Sequence, residues 1–187
     1  MDDQRRTHSQ VTYTPKSIDT DMKHVLTILL SLIVVTIAQA QLPQVELKDL
    51  QNNVVNTSEL SNDGKPFIIS FFATWCKPCL RELKAIHEEY VDWQEETGVK
   101  LIAVSIDEGQ NADRVKPLVD ALGFEYEVLL DPNGDFKRAM NVNMIPHVFV
   151  IDGKGRVAFS HSGYTEGGEQ ELIAKVRELL QNTEETR

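Results

Sequence analysis

The segment Trp75-Cys76-Lys77-Pro78-Cys79 holds the only two cysteines of the 187-residue chain, three positions apart. It follows the apolar run Phe67-Ile-Ile-Ser-Phe-Phe72 and opens a stretch with helical periodicity. Cysteines at i and i+3 in a first helical turn fall within disulfide distance without distorting the backbone. The helix N-terminus offers free N–H donors and about half a positive charge, both of which favour a thiolate at Cys76. Lys77 adds a full positive charge, and Pro78 is tolerated because first-turn N–H groups have no intrahelical partner. Cys79, one turn deeper, is the expected resolving thiol and Cys76 the attacking one. Lowering a thiol pKa from about 8.5 to about 7 raises the thiolate fraction at pH 7 roughly fifteenfold. The accompanying loss of nucleophilicity returns roughly fivefold, so attack gains only about threefold. A low pKa also makes Cys76 a better leaving group when Cys79 attacks, so resolution gains as well.

Other chemistries explain the pair less well. A structural disulfide closing so small a loop contributes roughly 2 kcal/mol on the loop-entropy model, and it would staple residues already held in one turn. A zinc site needs two further ligands, and of the scattered histidines only His147 is a candidate. Two inert core cysteines would leave the flanking Trp75 and Pro78 unexplained.

The elements that must position this pair alternate in type. Gln44 to Leu50 and Val54 to Thr57 read as a strand pair around Asn52-Asn53. Phe67 to Phe72 is a central strand covered on both faces. Leu80, Leu83, Ile86, His87, Tyr90 and Val91 recur at helical spacing, and Gly98 closes that helix. Val99 to Ile106 is a second buried strand. Asn111 to Leu122 reads as a helix ended by Gly123, with Pro117 at a kink or in the first turn. Tyr126 to Leu130 is a third strand, and Asp135 to Met140 a short helix. A hairpin of His147–Ile151 and Arg156–His161 precedes a closing amphipathic helix over Gly168 to Gln181. Strands and helices alternating before a terminal hairpin predict an α/β fold with a central mixed sheet flanked by helices on both faces.

Composition narrows the function classes. Hydrophobic residues make up 41% and charged residues 26%, a globular balance. The formal charge of -10 has the wrong sign for neutralising phosphates, which argues against nucleic-acid binding. Near the N-terminus, Met22-Lys23-His24 precedes a 14-residue apolar run, Val25 to Ala38. Ala38-Gln39-Ala40 then matches an A-x-A cleavage signal. The run is shorter than the roughly 20 residues of a membrane span. Residues 22–40 therefore read as a signal peptide, the alternatives being an uncleaved N-terminal anchor or a buried strand. The polar stretch 1–21 reads as an extension foreign to the native start, and 41–187 as one domain. A leader implies a periplasmic or secreted protein, where a dithiol meets an oxidising environment.

The segment Phe71-Phe-Ala-Thr-Trp-Cys-Lys-Pro-Cys-Leu-Arg-Glu82 resembles the active-site segment of the TlpA/ResA-like thiol-disulfide oxidoreductases of the thioredoxin superfamily. The resemblance runs from about Leu42 to Leu180. It takes in the N-terminal strand pair, a strand-helix insert between Val99 and Asp131, and the tail Ile145-Pro-His-Val-Phe-Val-Ile-Asp-Gly-Lys-Gly155. It implies a thioredoxin-like fold and a Cys76/Cys79 dithiol–disulfide cycle without a cofactor. It also implies a cis peptide bond at Pro146, packed against the cysteines. Ile145, Pro146 and His147 would then join Trp75, Lys77 and Pro78 in binding an incoming chain. Ser70 stands where thioredoxin has a buried Asp, and Glu82 matches a glutamate of the ResA-like branch. A poorly solvated Glu82 of raised pKa would take the proton of Cys79; the plain alternative is an exposed helical Glu paired with Lys or Arg. His147 replaces a more usual Thr and is either a pH-sensitive neighbour of the sulfurs or a surface histidine. The implied partners are disulfide-containing protein substrates and an upstream membrane thiol donor, with possible membrane association through the N-terminal segment. Apocytochrome c reduction (cytochrome c maturation), disulfide repair and oxidative-stress defence all suit such a site. Two rivals share the fold. A thiol peroxidase normally has a Pro-x-x-x-Thr-x-x-Cys setting, where this chain has Ile69 and Ala73. A copper-handling module would use a CxxxC pair with a distant His.

Overall fold

The computed structural model describes residues 41–184, so the leader and the polar N-terminal extension read from the sequence lie outside the described residues. Seven strands form one sheet in the order β2-β1-β5-β4-β3-β6-β7. They are β1 (Glu46–Asp49), β2 (Val54–Asn56), β3 (Phe67–Phe72), β4 (Lys100–Ser105), β5 (Glu127–Leu130), β6 (His147–Ile151) and β7 (Val157–Ser162). The helices are α1 (Lys77–Thr97), α2 (Val115–Leu122), α3 (Asp135–Ala139) and α4 (Glu169–Glu184).

All six residues of β3 are buried, as a continuous apolar run covered on both faces requires. β3 pairs parallel with β4 and antiparallel with β6, and β4 pairs parallel with β5. The sheet is therefore mixed. Adjacent residues of β3 show which helices cover which face, because successive side chains point to opposite sides. Ser70 meets Glu82 of α1, whereas the Phe71 ring packs 5.4 Å from that of Phe136 in α3. α4 lies on the α1 side, tied to it by the exposed Arg177–Glu96 pair and by Gln170 donating to Glu89. Both faces of the sheet carry helices, as the sequence pattern predicted.

One element differs from expectation. The segment expected as one helix from Asn111 begins instead as a 3-10 stretch over Gly109–Arg114, and α-helix runs only over Val115–Leu122. Pro117 accounts for this. A helix starting at Asn111 would bury its missing N–H and ring in the interior, whereas a start at Val115 places it in the first turn. The expected N-terminal strand pair forms, and β1 also joins the main sheet through antiparallel pairing of Lys48 and Asp49 with Leu130 and Leu129.

Candidate active site

β3 ends at Phe72, and Cys76 N–H donates to the Ala73 carbonyl at 3.0 Å in the turn that follows. Cys76 is the N-cap of α1, with extended backbone, and its sulfur accepts from Cys79 N–H at 3.3 Å. Lys77 and Pro78 are the first two helical residues. The pair is disulfide-bonded, with an S–S distance of 2.03 Å and Cα atoms 5.3 Å apart. The expected order of burial holds by a small margin: Cys76 is 6% exposed and Cys79 1%. Lys77 is exposed beside them, and Trp75 is 62% exposed.

The turn before Cys76 is anchored by a residue the sequence reading did not single out. Asp107 is buried just beyond the end of β4. Its carboxylate accepts from Thr74 N–H at 2.8 Å, from Thr74 Oγ1 at 2.6 Å and from Ser105 Oγ at 2.9 Å. Parallel pairing of Phe72 with Ser105 brings the ends of the two strands level, so a carboxylate two residues past one reaches the turn following the other. A groove of about 640 Å³ lies beside Trp75, lined also by Thr74, Asn111, Arg114, Pro117 and Leu118.

The Ile145–Pro146 bond is cis. Because Phe71 pairs with His147, Pro146 stands level with Phe72, at the end of the sheet from which the cysteine turn departs. Pro146 is buried, Ile145 and His147 are half-buried, and Met144 is 57% exposed. His147 stacks on Phe149 with ring centres 4.5 Å apart, and its Nδ1 has no hydrogen-bond partner. Burial, and secondly the nearby His161, push its pKa down.

Glu82 is fully buried, so the exposed-helix alternative does not describe it. Ser70 Oγ lies 3.4 Å from its Oε2, and His161 Nε2 lies 3.2 Å from its Oε1. Burial raises its pKa above the ordinary carboxylate value, against the lowering effect of the His161 and Ser70 contacts. Cys79 and Glu82 are one turn apart on the buried side of α1, the spacing at which helical side chains are neighbours. His161 itself carried no signal in the sequence, because its place depends on strand register. Among the described residues, no group of three or more His, Cys, Asp or Glu side chains is disposed to hold a metal ion.

A mixed sheet whose central strand feeds a Cys-x-x-Cys pair at a helix N-terminus, level with a cis-proline, defines a thioredoxin-like protein. The chain belongs to the AhpC/TSA family, whose model matches residues 38–160. It is similar to the thiol-disulfide oxidoreductase ResA of Bacillus thuringiensis, with 32% identity over 62% of this chain and 64% of the relative. It is also similar to the thiol:disulfide interchange protein DsbE of Haemophilus influenzae, with 33% identity over 65% of this chain and 64% of the relative. The chain thus spans a little under two thirds of the length of these relatives. Among solved structures, a thioredoxin-like protein from Porphyromonas gingivalis shares 69% identity at a TM-score of 0.69. That match covers 76% of this chain and 94% of that one.

Proposed function

We propose that this protein is an exported thiol-disulfide oxidoreductase that reduces disulfides in protein substrates. The observation that carries the reading is the Cys76–Cys79 disulfide at the N-terminus of α1, a placement that favours a thiolate at the outer sulfur. The relatives named for thiol-disulfide exchange support it.

In the reduced protein, the Cys76 thiolate attacks a substrate disulfide and forms a mixed disulfide. Cys79 then attacks Cys76 Sγ, and the substrate leaves as a dithiol. Glu82 takes the Cys79 proton as general base, a role its burial and raised proton affinity suit. The exposed Trp75 and Met144 supply an apolar rim for the incoming chain, and the backbone at Ile145 and Pro146 is available to pair with it. Re-reduction needs an external dithiol, in this reading a membrane thiol donor. In this reading residues 22–40 act as a leader that carries the domain to the periplasm or outside the cell, free or held by an uncleaved signal.

Reduction of a protein disulfide such as that of insulin by the dithiol form tests the reading. In Cys79→Ala, a substrate should remain covalently attached at Cys76. Rapid peroxide consumption without any trapped disulfide would favour the peroxidase alternative instead.

A further inference from the structure

The strand registers place Ser70, Val148 and His161 in one cross-strand row over β3, β6 and β7, through the pairs Ser70–Val148 and Val148–His161. Aligned residues of neighbouring strands project from the same face, and for this row it is the face that α1 covers. Glu82 descends from α1 onto the row, and each carboxylate oxygen meets one end of it: Oε2 meets Ser70 Oγ and Oε1 meets His161 Nε2. The His161 Nδ1 atom is buried without a partner. A neutral ring with its proton on Nε2 leaves only a lone pair unmet there, which costs less than burying a second N–H without an acceptor. In this tautomer Nε2–H donates to Glu82.

We propose that His161 is a positioning residue for the thiol chemistry of Cys79: by donating Nε2–H to Oε1, it holds the Glu82 carboxylate oriented and ionised to receive the Cys79 proton. The inference deepens the reading of Glu82 as general base and rests on it. In the step concerned, Cys79 Sγ–H gives its proton to Glu82, and the Cys79 sulfur attacks Cys76 Sγ. The Cys76–Cys79 bond forms as the bond between Cys76 and the substrate sulfur breaks. That sulfur leaves with the bonding electron pair and takes up a proton from water, and Glu82 returns its own proton to solvent.

The surrounding charges give the direction of the effect. Burial and Glu169, at the start of α4, push Glu82 towards its protonated form, while His161 and Ser70 pull the other way. Tyr164, whose hydroxyl donates to Glu169 at 3.1 Å, faces the same cluster. His147 of β6 also interacts electrostatically with His161, and Glu171 of α4 favours a protonated His161 ring. Without His161, burial and Glu169 face only Ser70. Glu82 then keeps its proton to higher pH and cannot accept another.

The test is the pH dependence of mixed-disulfide resolution in single turnovers, with Cys76 loaded with a small aromatic thiol. In His161→Leu the acid limb of the profile should move up by about one pH unit, a tenfold slowing below the midpoint, and the rates should converge at high pH. His161→Gln, which retains an N–H donor, should abolish most of this shift and run close to wild type. Glu82→Gln should be slow at every pH, and adding His161→Leu to it should change nothing further. A His161→Leu profile that superimposes on wild type, or is lowered equally at all pH values, would overturn the proposal, as would additive slowing in the double variant. Resolution at the wild-type rate in Glu82→Gln would overturn the base reading beneath it, and failure to load Cys76 at all would overturn the dithiol cycle.

Discussion

Glu82 is a carboxylate that the fold holds out of water, and its two consequences, one kinetic and one thermodynamic, have opposite signs. Kinetically, Glu82→Gln keeps the shape and removes the carboxylate proposed to accept the Cys79 proton. Attack by Cys76 on a small disulfide should be unchanged, while resolution slows by roughly 10- to 100-fold, read in single turnovers. Thermodynamically, burial raises the folded-state proton affinity of Glu82 above that of the unfolded chain. Such a group contributes stability that is fully present below its unfolded pKa and is lost as pH rises through the folded one. The raised pKa of His161, which Glu82 sustains, acts in the same direction over its own range. Wild type should therefore lose denaturant resistance relative to Glu82→Gln as the pH rises above the ordinary carboxylate range, measured by urea unfolding of the oxidised proteins. Equal pH slopes for the two would mean that the carboxylate is solvated after all. The placement of this residue one turn past Cys79 was readable in the sequence, from the helical spacing and the resemblance it carries. Its partner was not: His161 lies 79 positions away, and no local pattern reports which residues two intervening strand pairings bring under a helix.

At the scale of elements, the cysteine turn is held from below by β4. Asp107 takes both the backbone and the hydroxyl of Thr74, so the approach to Cys76 is fixed by a neighbouring strand as well as by its own chain. Asp107→Ala leaves the Thr74 N–H without its acceptor, and losing a charge-assisted bond in a buried setting costs about 2–3 kcal/mol. The expected result is that lower stability in denaturant unfolding, together with slower attack by Cys76. Unaltered stability would mean that the turn holds itself. Elements with a strong local signal were legible: Phe67 to Phe72 was bounded correctly because a buried central strand is an uninterrupted apolar run. The 3-10 stretch at Gly109–Arg114 was not, because periodicity alone does not distinguish it from the first turns of an α-helix. Pro117 carried the information, but only once its position within the first α-helical turn was known.

For the whole molecule, alternation of strand and helix was enough to predict a mixed sheet with helices on both faces. The attachment of β1 to β5 escaped, since edge pairing depends on what the rest of the sheet leaves open. The confinement of both cysteines to one helical turn has a further consequence. Oxidation need not rearrange the chain around them, and the folded oxidised, folded reduced and two unfolded states form a thermodynamic cycle. Around that cycle, each 1.4 kcal/mol by which the oxidised fold outlasts the reduced one lowers the potential of the folded pair by about 30 mV relative to the unfolded chain. A protein that donates electrons is accordingly one that is sturdier with its bridge closed. Unfolding of the two redox forms in parallel should thus find the oxidised form the more resistant, and the reverse order would mark this chain as an oxidant that draws its driving force from its own folding.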